Sequence, residues 1–140
     1  MDIKYNVSKI KGSKEEIVKD AVSVEEPLEM RLKYKKNGKI ETQNISITMR
    51  TPGNDEDLIR GFLFNERIIE NMDEIDSIQH IGDPVGDYNL HNVIEATINK
   101  TDNLDIGKLK RNFVTNSSCG ICGKTSVSYT HLTLPTRLPV

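Results

Sequence analysis

The stretch LEMRLKYKKNGKIETQNISITMR, residues 28–50, decides the fold. Its first half alternates apolar and charged side chains with a period of two, which predicts a half-buried strand. The apolar set is Leu28, Met30, Leu32 and Tyr34, and the charged set is Glu29, Arg31, Lys33 and Lys35. Asn37-Gly38 then predicts a tight hairpin turn, because both central positions of that turn need a positive φ. We expect a return strand from about Ile40 to Arg50, with Ile45, Ile47 and Met49 on one face.

A helix is predicted directly after this hairpin. Thr51-Pro52-Gly53 ends the strand, and Asn54 is a good helix cap. The carboxylates of residues 55–57 suit the first turn, where the helix dipole favours anions, and we interpret them as solvated rather than as a metal cluster. Leu58, Ile59, Phe62 and Leu63 recur at helical spacing, which predicts a helix over about 55–64 with a core-facing stripe. Gly61 suggests that this helix packs closely on the sheet.

Two further strands are predicted, at Ile75–Ile81 and Tyr88–Asn99. In the second, one face is expected to carry Asn92, Ile94, Ala96 and Ile98. His80 and His91 fall in or beside these strands, and we interpret them as structural histidines with satisfied hydrogen bonds. The fold class is therefore α+β, with mostly antiparallel strands and one main helix.

The chain divides into four segments by composition. Residues 1–14 are polar and rich in lysine, which predicts a weakly ordered start or one edge strand. Residues 15–116 form the α+β domain, and residues 117–126 form a cysteine loop. Residues 127–140 carry one charge, Arg137, and begin with VSYTHLTLPT, which reads as translated sequencing adapter. We interpret this last segment as a non-native tail, and the genomic DNA beyond the Ser126 codon tests that interpretation.

Composition excludes several classes of function. The chain has 140 residues, enough for one domain, and its 19 basic and 21 acidic residues give a net charge of −2, so no global attraction to nucleic acid is expected. No apolar run is long enough to span a membrane, and the first residues lack the hydrophobic core of a secretory signal. Both cysteines lie in one tetrapeptide, Cys119-Gly120-Ile121-Cys122, so a disulfide between them cannot link distant segments of the chain. This favours a reducing, cytoplasmic location.

The paired thiols are the candidate for chemistry. The glycines at 120 and 123 allow the backbone to turn so that both thiols face one point, and Lys124 favours a reactive thiolate. Four readings stay open: an inert pair in a turn, half of a zinc site, a thioredoxin-like dithiol, and a sulfur-relay cysteine that forms a persulfide. Structural zinc needs four ligands, and the spacing of His80, His91 and His131 supplies no obvious second pair.

Three segments together resemble the FdhD family of formate dehydrogenase accessory sulfurtransferases. These are EEPLEMRL at 25–32, MRTPGNDEDL at 49–58 continuing to Gly61-Phe62-Leu63, and SSCGICGK at 117–124. The resemblance implies a sulfurtransferase that takes persulfide sulfur from a cysteine desulfurase. It implies that the protein delivers this sulfur to the bis-guanine-dinucleotide molybdenum cofactor before the cofactor enters formate dehydrogenase. Ser117, Ser118 and Lys124 match the same motif, with roles limited to loop shape and thiolate stabilisation.

The resemblance also assigns site residues and partners. Cys119 would carry the persulfide and Cys122 would be the partner thiol; no permanently bound cofactor and no metal is expected. The partners would be the desulfurase, formate dehydrogenase and the molybdenum cofactor, and a homodimer is one option. Family members continue into a second, cytidine-deaminase-like domain that holds most of the cofactor pocket, so the resemblance predicts that this domain is missing here. The alternatives are a thioredoxin-like or zinc-binding CxxC module, or a non-catalytic docking domain.

Overall fold

The computed structural model describes residues 1–99, which form two β-sheets and one main helix. The elements are β1 (Asp2–Lys11), β2 (Lys14–Ser23), β3 (Glu26–Lys36), β4 (Lys39–Arg50), α1 (Asp55–Asn65), a short 3₁₀ helix (Met72–Glu74), β5 (Ile75–His80) and β6 (Val93–Ile98). The expected α+β class is confirmed. Within residues 1–99, no helix is long and apolar enough to cross a membrane.

The β3–β4 hairpin forms where the Asn-Gly turn predicts it. Asn37 and Gly38 have φ values of 52° and 77°, and Lys36 pairs with Lys39. The predicted single face for the apolar residues of β4 is wrong, because the register shifts between Met30 and Arg31 and inserts one extra residue in β4. As in other bulges, the shift changes which face the following side chains occupy. Ile45 therefore joins the core, whereas Ile47 pairs with Glu29 on the opposite face.

The main sheet has the strand order β4-β3-β6-β5. β3 and β6 are parallel, and the other neighbours are antiparallel. The central strands β3 and β6 contribute the middle of the core, and α1 covers it. The core consists of Leu28, Met30, Leu32, Tyr34, Ile45, Ile59, Leu63, Ile68, Ile69, Ile94, Ala96 and Ile98. In the first turn of the helix, Asp55 is bound by Arg50 and His80, the last residues of β4 and β5.

Helix α1 matches its predicted position, but its buried stripe is narrower than expected. Ile59 and Leu63 are fully buried, Phe62 packs at the edge of the core, and Leu58 is 37% exposed. The close packing expected at Gly61 is absent, since a Cβ added there would meet no atom within 4 Å. The chain after the helix, for which no helix or strand was predicted, contributes Ile68 and Ile69 to the core.

The last strand begins later than predicted. Residues before Val93 form a loop closed by a bridge between Val85 and Leu90. The predicted shared face of β6 is confirmed, because Ile94, Ala96 and Ile98 all lie in the core, and Asn92 directly before the strand is buried as well. The β5 prediction is confirmed to within one residue at its C-terminal end.

The N-terminal segment forms a separate two-stranded sheet. β1 and β2 pair antiparallel along their whole length, so residues 1–14 take the edge-strand option rather than a weakly ordered start. The predicted boundary between residues 14 and 15 falls at the beginning of β2 and divides this hairpin. The boundary at residue 116, the cysteine loop and the tail lie outside the described residues.

Candidate functional site

The predicted site residues Cys119 and Cys122 lie outside the described residues, as do Lys124 and His131. Within residues 1–99, a hydrogen-bonded group of polar side chains, buried at its centre, lies where β4, α1, β5 and the start of β6 meet. It consists of Arg50, Asp55, His80, His91 and Asn92, and we call it the Arg50 cluster.

Arg50 is the last residue of β4, and its guanidinium donates to four residues in three other segments of the chain. Nε donates to Oδ1 of Asp55 at 2.8 Å and Nη2 to Oδ2 of the same carboxylate at 3.0 Å, which makes a bidentate pair. Nη1 donates to Oδ1 of Asn92 at 3.0 Å and to the Glu26 carbonyl at 3.4 Å. Nη2 also donates to the His91 carbonyl at 3.0 Å. All five guanidinium N–H groups therefore have acceptors.

The Arg50–Asp55 pair is shielded from water. Their side chains are only 5% and 7% exposed. Burial alone would raise the pKa of Asp55, but hydrogen bonds from Arg50 and then from His80 outweigh burial and hold its pKa below the ordinary value. Asp55 is therefore an ionised carboxylate at neutral pH.

His80 and His91 complete the cluster on its exposed side. Nε2 of His80 lies 2.8 Å from Oδ2 of Asp55, and Nδ1 of His91 lies 3.1 Å from the Gly82 carbonyl. Both partners only accept hydrogen bonds, so these two ring nitrogens carry the protons. The ring centroids are 5.9 Å apart. Each histidine ring therefore makes a hydrogen bond, as predicted.

Two members of the cluster, Asp55 and His80, line one wall of an open cavity of about 300 Å³ at the beginning of α1. Residues 53–57, Arg60 and His80 surround it. In the described part of the chain, no group of three or more His, Cys, Asp or Glu side chains is placed to hold a metal ion. The Asp55 carboxylate fixes the tautomer and the orientation of the half-exposed His80 imidazole at the cavity wall.

The structure corrects one prediction about this region and adds a residue. Asp55 is not a solvated carboxylate, whereas Glu56 and Asp57 remain exposed and pair with Arg60. Arg50 was not singled out from the sequence. The signal that could have found it is a basic residue ending a strand, followed across a Pro-Gly turn by an acidic helix start.

Replacing Asp55 with Asn should remove a pH-dependent part of the stability. Because the folded-state pKa of Asp55 is lowered, its contribution is present above about pH 4, the ordinary value, and is lost as the pH falls through the lower folded pKa. Urea unfolding at neutral pH should therefore show Asp55→Asn less stable than wild type by about 2–3 kcal/mol. The gap should narrow progressively below about pH 4.

The matched control for this measurement is Asp57→Asn in the same helix turn. The Asp57 side chain is 79% exposed and pairs only with Arg60 at 3.1 Å among the contacts described, so the change should be small at every pH. A wild-type to Asp55→Asn gap that stays constant with pH would contradict the lowered pKa.

Comparison with known proteins identifies the class to which this fold and this sequence belong. The sequence model of the FdhD/NarQ family matches residues 24–138, most of the chain. The chain therefore belongs to the FdhD/NarQ family. The match begins directly after β2 and runs through the cysteine loop into the segment interpreted as a non-native tail.

The matching relatives share one curated name, sulfur carrier protein FdhD. The protein from Sulfurisphaera tokodaii is 37% identical over 121 residues, which cover 86% of this chain and 41% of the relative. The Corynebacterium efficiens protein is 37% identical over 113 residues, covering 77% and 38%, and the Streptomyces avermitilis protein is 41% identical over 109 residues, covering 77% and 36%. The chain thus spans about two fifths of the length of these relatives. No solved structure matches it.

Proposed function

We propose that this chain belongs to a sulfur carrier that accepts persulfide sulfur from a cysteine desulfurase and delivers it to the bis-guanine-dinucleotide molybdenum cofactor for formate dehydrogenase. The observation that carries the proposal is family membership combined with the tetrapeptide Cys119-Gly120-Ile121-Cys122. The name of the relatives supports the sulfur-carrier role. Beyond the sulfur-carrier role, the proposal specifies a cysteine desulfurase as the sulfur donor, the molybdenum cofactor as the acceptor and the cytoplasm as the location.

Loading is a sulfur displacement with a defined balance. The Cys119 thiolate attacks the outer sulfur of the desulfurase persulfide, a new S–S bond forms on Cys119, and the donor cysteine leaves as a thiolate. No external oxidant or reductant is needed for this step. A nearby cation such as Lys124 would favour the reaction, because it lowers the pKa of a neighbouring thiol and the thiolate is the nucleophile.

Cys122 has the complementary role of a partner thiol. Its thiolate attacks the inner sulfur of the Cys119 persulfide, releases hydrosulfide and leaves a Cys119–Cys122 disulfide. The two electrons that convert sulfane sulfur to sulfide come from the two thiols, and a cellular dithiol reductant resets the pair. The molybdenum cofactor is then the substrate that receives the sulfide.

The Arg50 cluster serves this function as a structural support. Its Arg50 and Asp55 lie in the segment 49–58, one of the three that carry the family resemblance. The cluster ties the start of α1 to β3, to β5 and to Asn92, which directly precedes β6. A buried, fully hydrogen-bonded arginine of this kind fixes chain segments relative to one another. We assign it no part in sulfur transfer.

Sulfur loading can be tested by intact mass measurement. After incubation with a cysteine desulfurase and cysteine, the protein should gain the mass of one sulfur atom, and a thiol reductant should remove it. Stoichiometric zinc in the purified protein, or a reversible two-electron dithiol couple without sulfur uptake, would favour the CxxC alternatives instead. Binding of the desulfurase without any sulfur gain would favour a docking domain.

A further inference from the structure

The fold brings together two histidines that are eleven positions apart in the sequence. His80 ends β5, His91 lies two residues before β6, and these two strands pair antiparallel. The ring centroids are 5.9 Å apart, with an angle of 41° between the ring planes. The spacing of the histidines in the sequence did not reveal this pair, because the pair depends on the contact between β5 and β6.

Hydrogen bonds hold the backbone beside both histidines. Directly after His80, Ile81 N donates to the Val93 carbonyl at 3.0 Å. Nη2 of Arg50 donates to the backbone carbonyl of His91, also at 3.0 Å. The two rings therefore extend from backbone positions fixed by the sheet and by the buried guanidinium. A binding site needs this kind of preorganisation, because its ligands must be held in place before an ion arrives.

Each ring uses one nitrogen as a hydrogen-bond donor and keeps the other as an acceptor. Nε2 of His80 donates to the Asp55 carboxylate at 2.8 Å, and Nδ1 of His91 donates to the Gly82 carbonyl at 3.1 Å. In the neutral rings, Nδ1 of His80 and Nε2 of His91 are therefore unprotonated. Neither nitrogen has a hydrogen-bond partner among residues 1–99. A carboxylate or a backbone carbonyl on the other ring N–H is the arrangement that orients metal-binding histidines.

The separation of the rings matches two imidazoles on one metal ion. Bonds from zinc to histidine nitrogen are about 2.0–2.1 Å long, so two imidazoles on one four-coordinate zinc have ring centroids about 5–6 Å apart. The observed 5.9 Å lies within this interval. The His80 side chain is 37% exposed and His91 is exposed, so an ion can reach the pair without any opening of the core.

We propose that His80 and His91 bind a divalent transition-metal ion that prefers imidazole ligands, such as Zn²⁺, through Nδ1 of His80 and Nε2 of His91. Water completes the coordination, because no third His, Cys, Asp or Glu side chain among residues 1–99 forms a metal-binding group with them. Asp55 is a positioning residue that fixes the His80 tautomer through its hydrogen bond to Nε2. The site uses neither cysteine and is independent of the proposed sulfur transfer.

Calorimetric titration with Zn²⁺ tests the site in the full 140-residue chain, prepared without a histidine tag. The parent protein carries Cys119→Ser and Cys122→Ser, so that no thiolate contributes to binding. It should bind one Zn²⁺ per chain, and excess Mg²⁺ should not compete, because Mg²⁺ requires oxygen ligands. Adding His91→Ala should raise the dissociation constant at least about tenfold, since even the loss of a ligand's hydrogen-bond partner costs about 10–100-fold.

The matched control is His131→Ala in the same parent, which should leave the dissociation constant within about twofold, because only the ligands and their hydrogen-bond partners carry the affinity. In urea unfolding, Zn²⁺ should raise the midpoint of the parent but not that of the His91→Ala variant, since the ion binds the pair only in the folded state. A parent that binds no Zn²⁺ would overturn the proposal. So would unchanged binding in His91→Ala, an equal loss in His131→Ala, or displacement of Zn²⁺ by Mg²⁺.

Discussion

The Cys119→Ala variant should gain no sulfur from a cysteine desulfurase, whereas Cys122→Ala should still take up one sulfur atom. The reason is the division of roles in the proposed mechanism: only Cys119 attacks the donor persulfide, and Cys122 acts after loading. A thiol-to-methyl change at the nucleophile removes the atom that forms the new bond, so the expected loss is complete rather than partial.

Intact mass measurement with and without a reductant resolves these two outcomes. Cys122→Ala should carry a reducible adduct of one sulfur, which peptide mapping should place on Cys119, and wild type should carry the same adduct until Cys122 releases it as hydrosulfide. The single variants also serve as controls for each other, because both retain one cysteine of the pair and the same loop length. Full adduct retention in Cys119→Ala would reject its assignment as the carrier.

Release of sulfur separates the two cysteines further. If Cys122 frees hydrosulfide by forming the internal disulfide, loaded wild type should release it in single turnover, and loaded Cys122→Ala should hold its sulfur until an external thiol is added. A hydrosulfide assay on desalted, loaded protein measures this directly. Equal release by both proteins would show that Cys122 is not the resolving thiol.

Local signals in the sequence predicted the elements on which the site is built. The Asn37-Gly38 turn and the alternation around it specify the β3–β4 hairpin from residues close in sequence. The acidic first turn marks where α1 begins, although Asn54 at the N-cap makes no side-chain cap hydrogen bond. Ile94, Ala96 and Ile98 follow the same two-residue period, so the inner face of β6 was also predictable.

The features that escaped prediction depend on contacts between distant parts of the chain. The parallel pairing of β3 with β6 joins Glu29 to Val93, and no local pattern encodes that choice. The burial of Asp55 follows from it, because β6 brings Asn92 and the His91 carbonyl to Arg50. The bulge opposite Met30 likewise changes the face of Ile47 in a way that alternation alone cannot reveal.

Replacing Arg50 with Met should lower the free energy of unfolding by about 3–5 kcal/mol. Met is similar in length and apolar, so the change tests the hydrogen bonds and the charge rather than volume. It would leave the buried Asp55 carboxylate without its bidentate partner and the Asn92 side chain without its donor. Removing one member of a buried ion pair costs more than the pair contributes, because the remaining charge stays desolvated.

Two further variants separate charge from geometry in the same urea-unfolding experiment. Arg50→Lys keeps the positive charge but offers three donors from one point instead of five in a planar fork, so it should recover only part of the loss. Arg60→Met provides the matched control, since Arg60 is 40% exposed and binds only the exposed Glu56 and Asp57 in the described contacts; its effect should stay within about 0.5 kcal/mol. An Arg50→Met protein as stable as Arg60→Met would mean that the cluster does not hold these segments together, because Arg50→Met removes the guanidinium from a buried carboxylate and Arg60→Met does not.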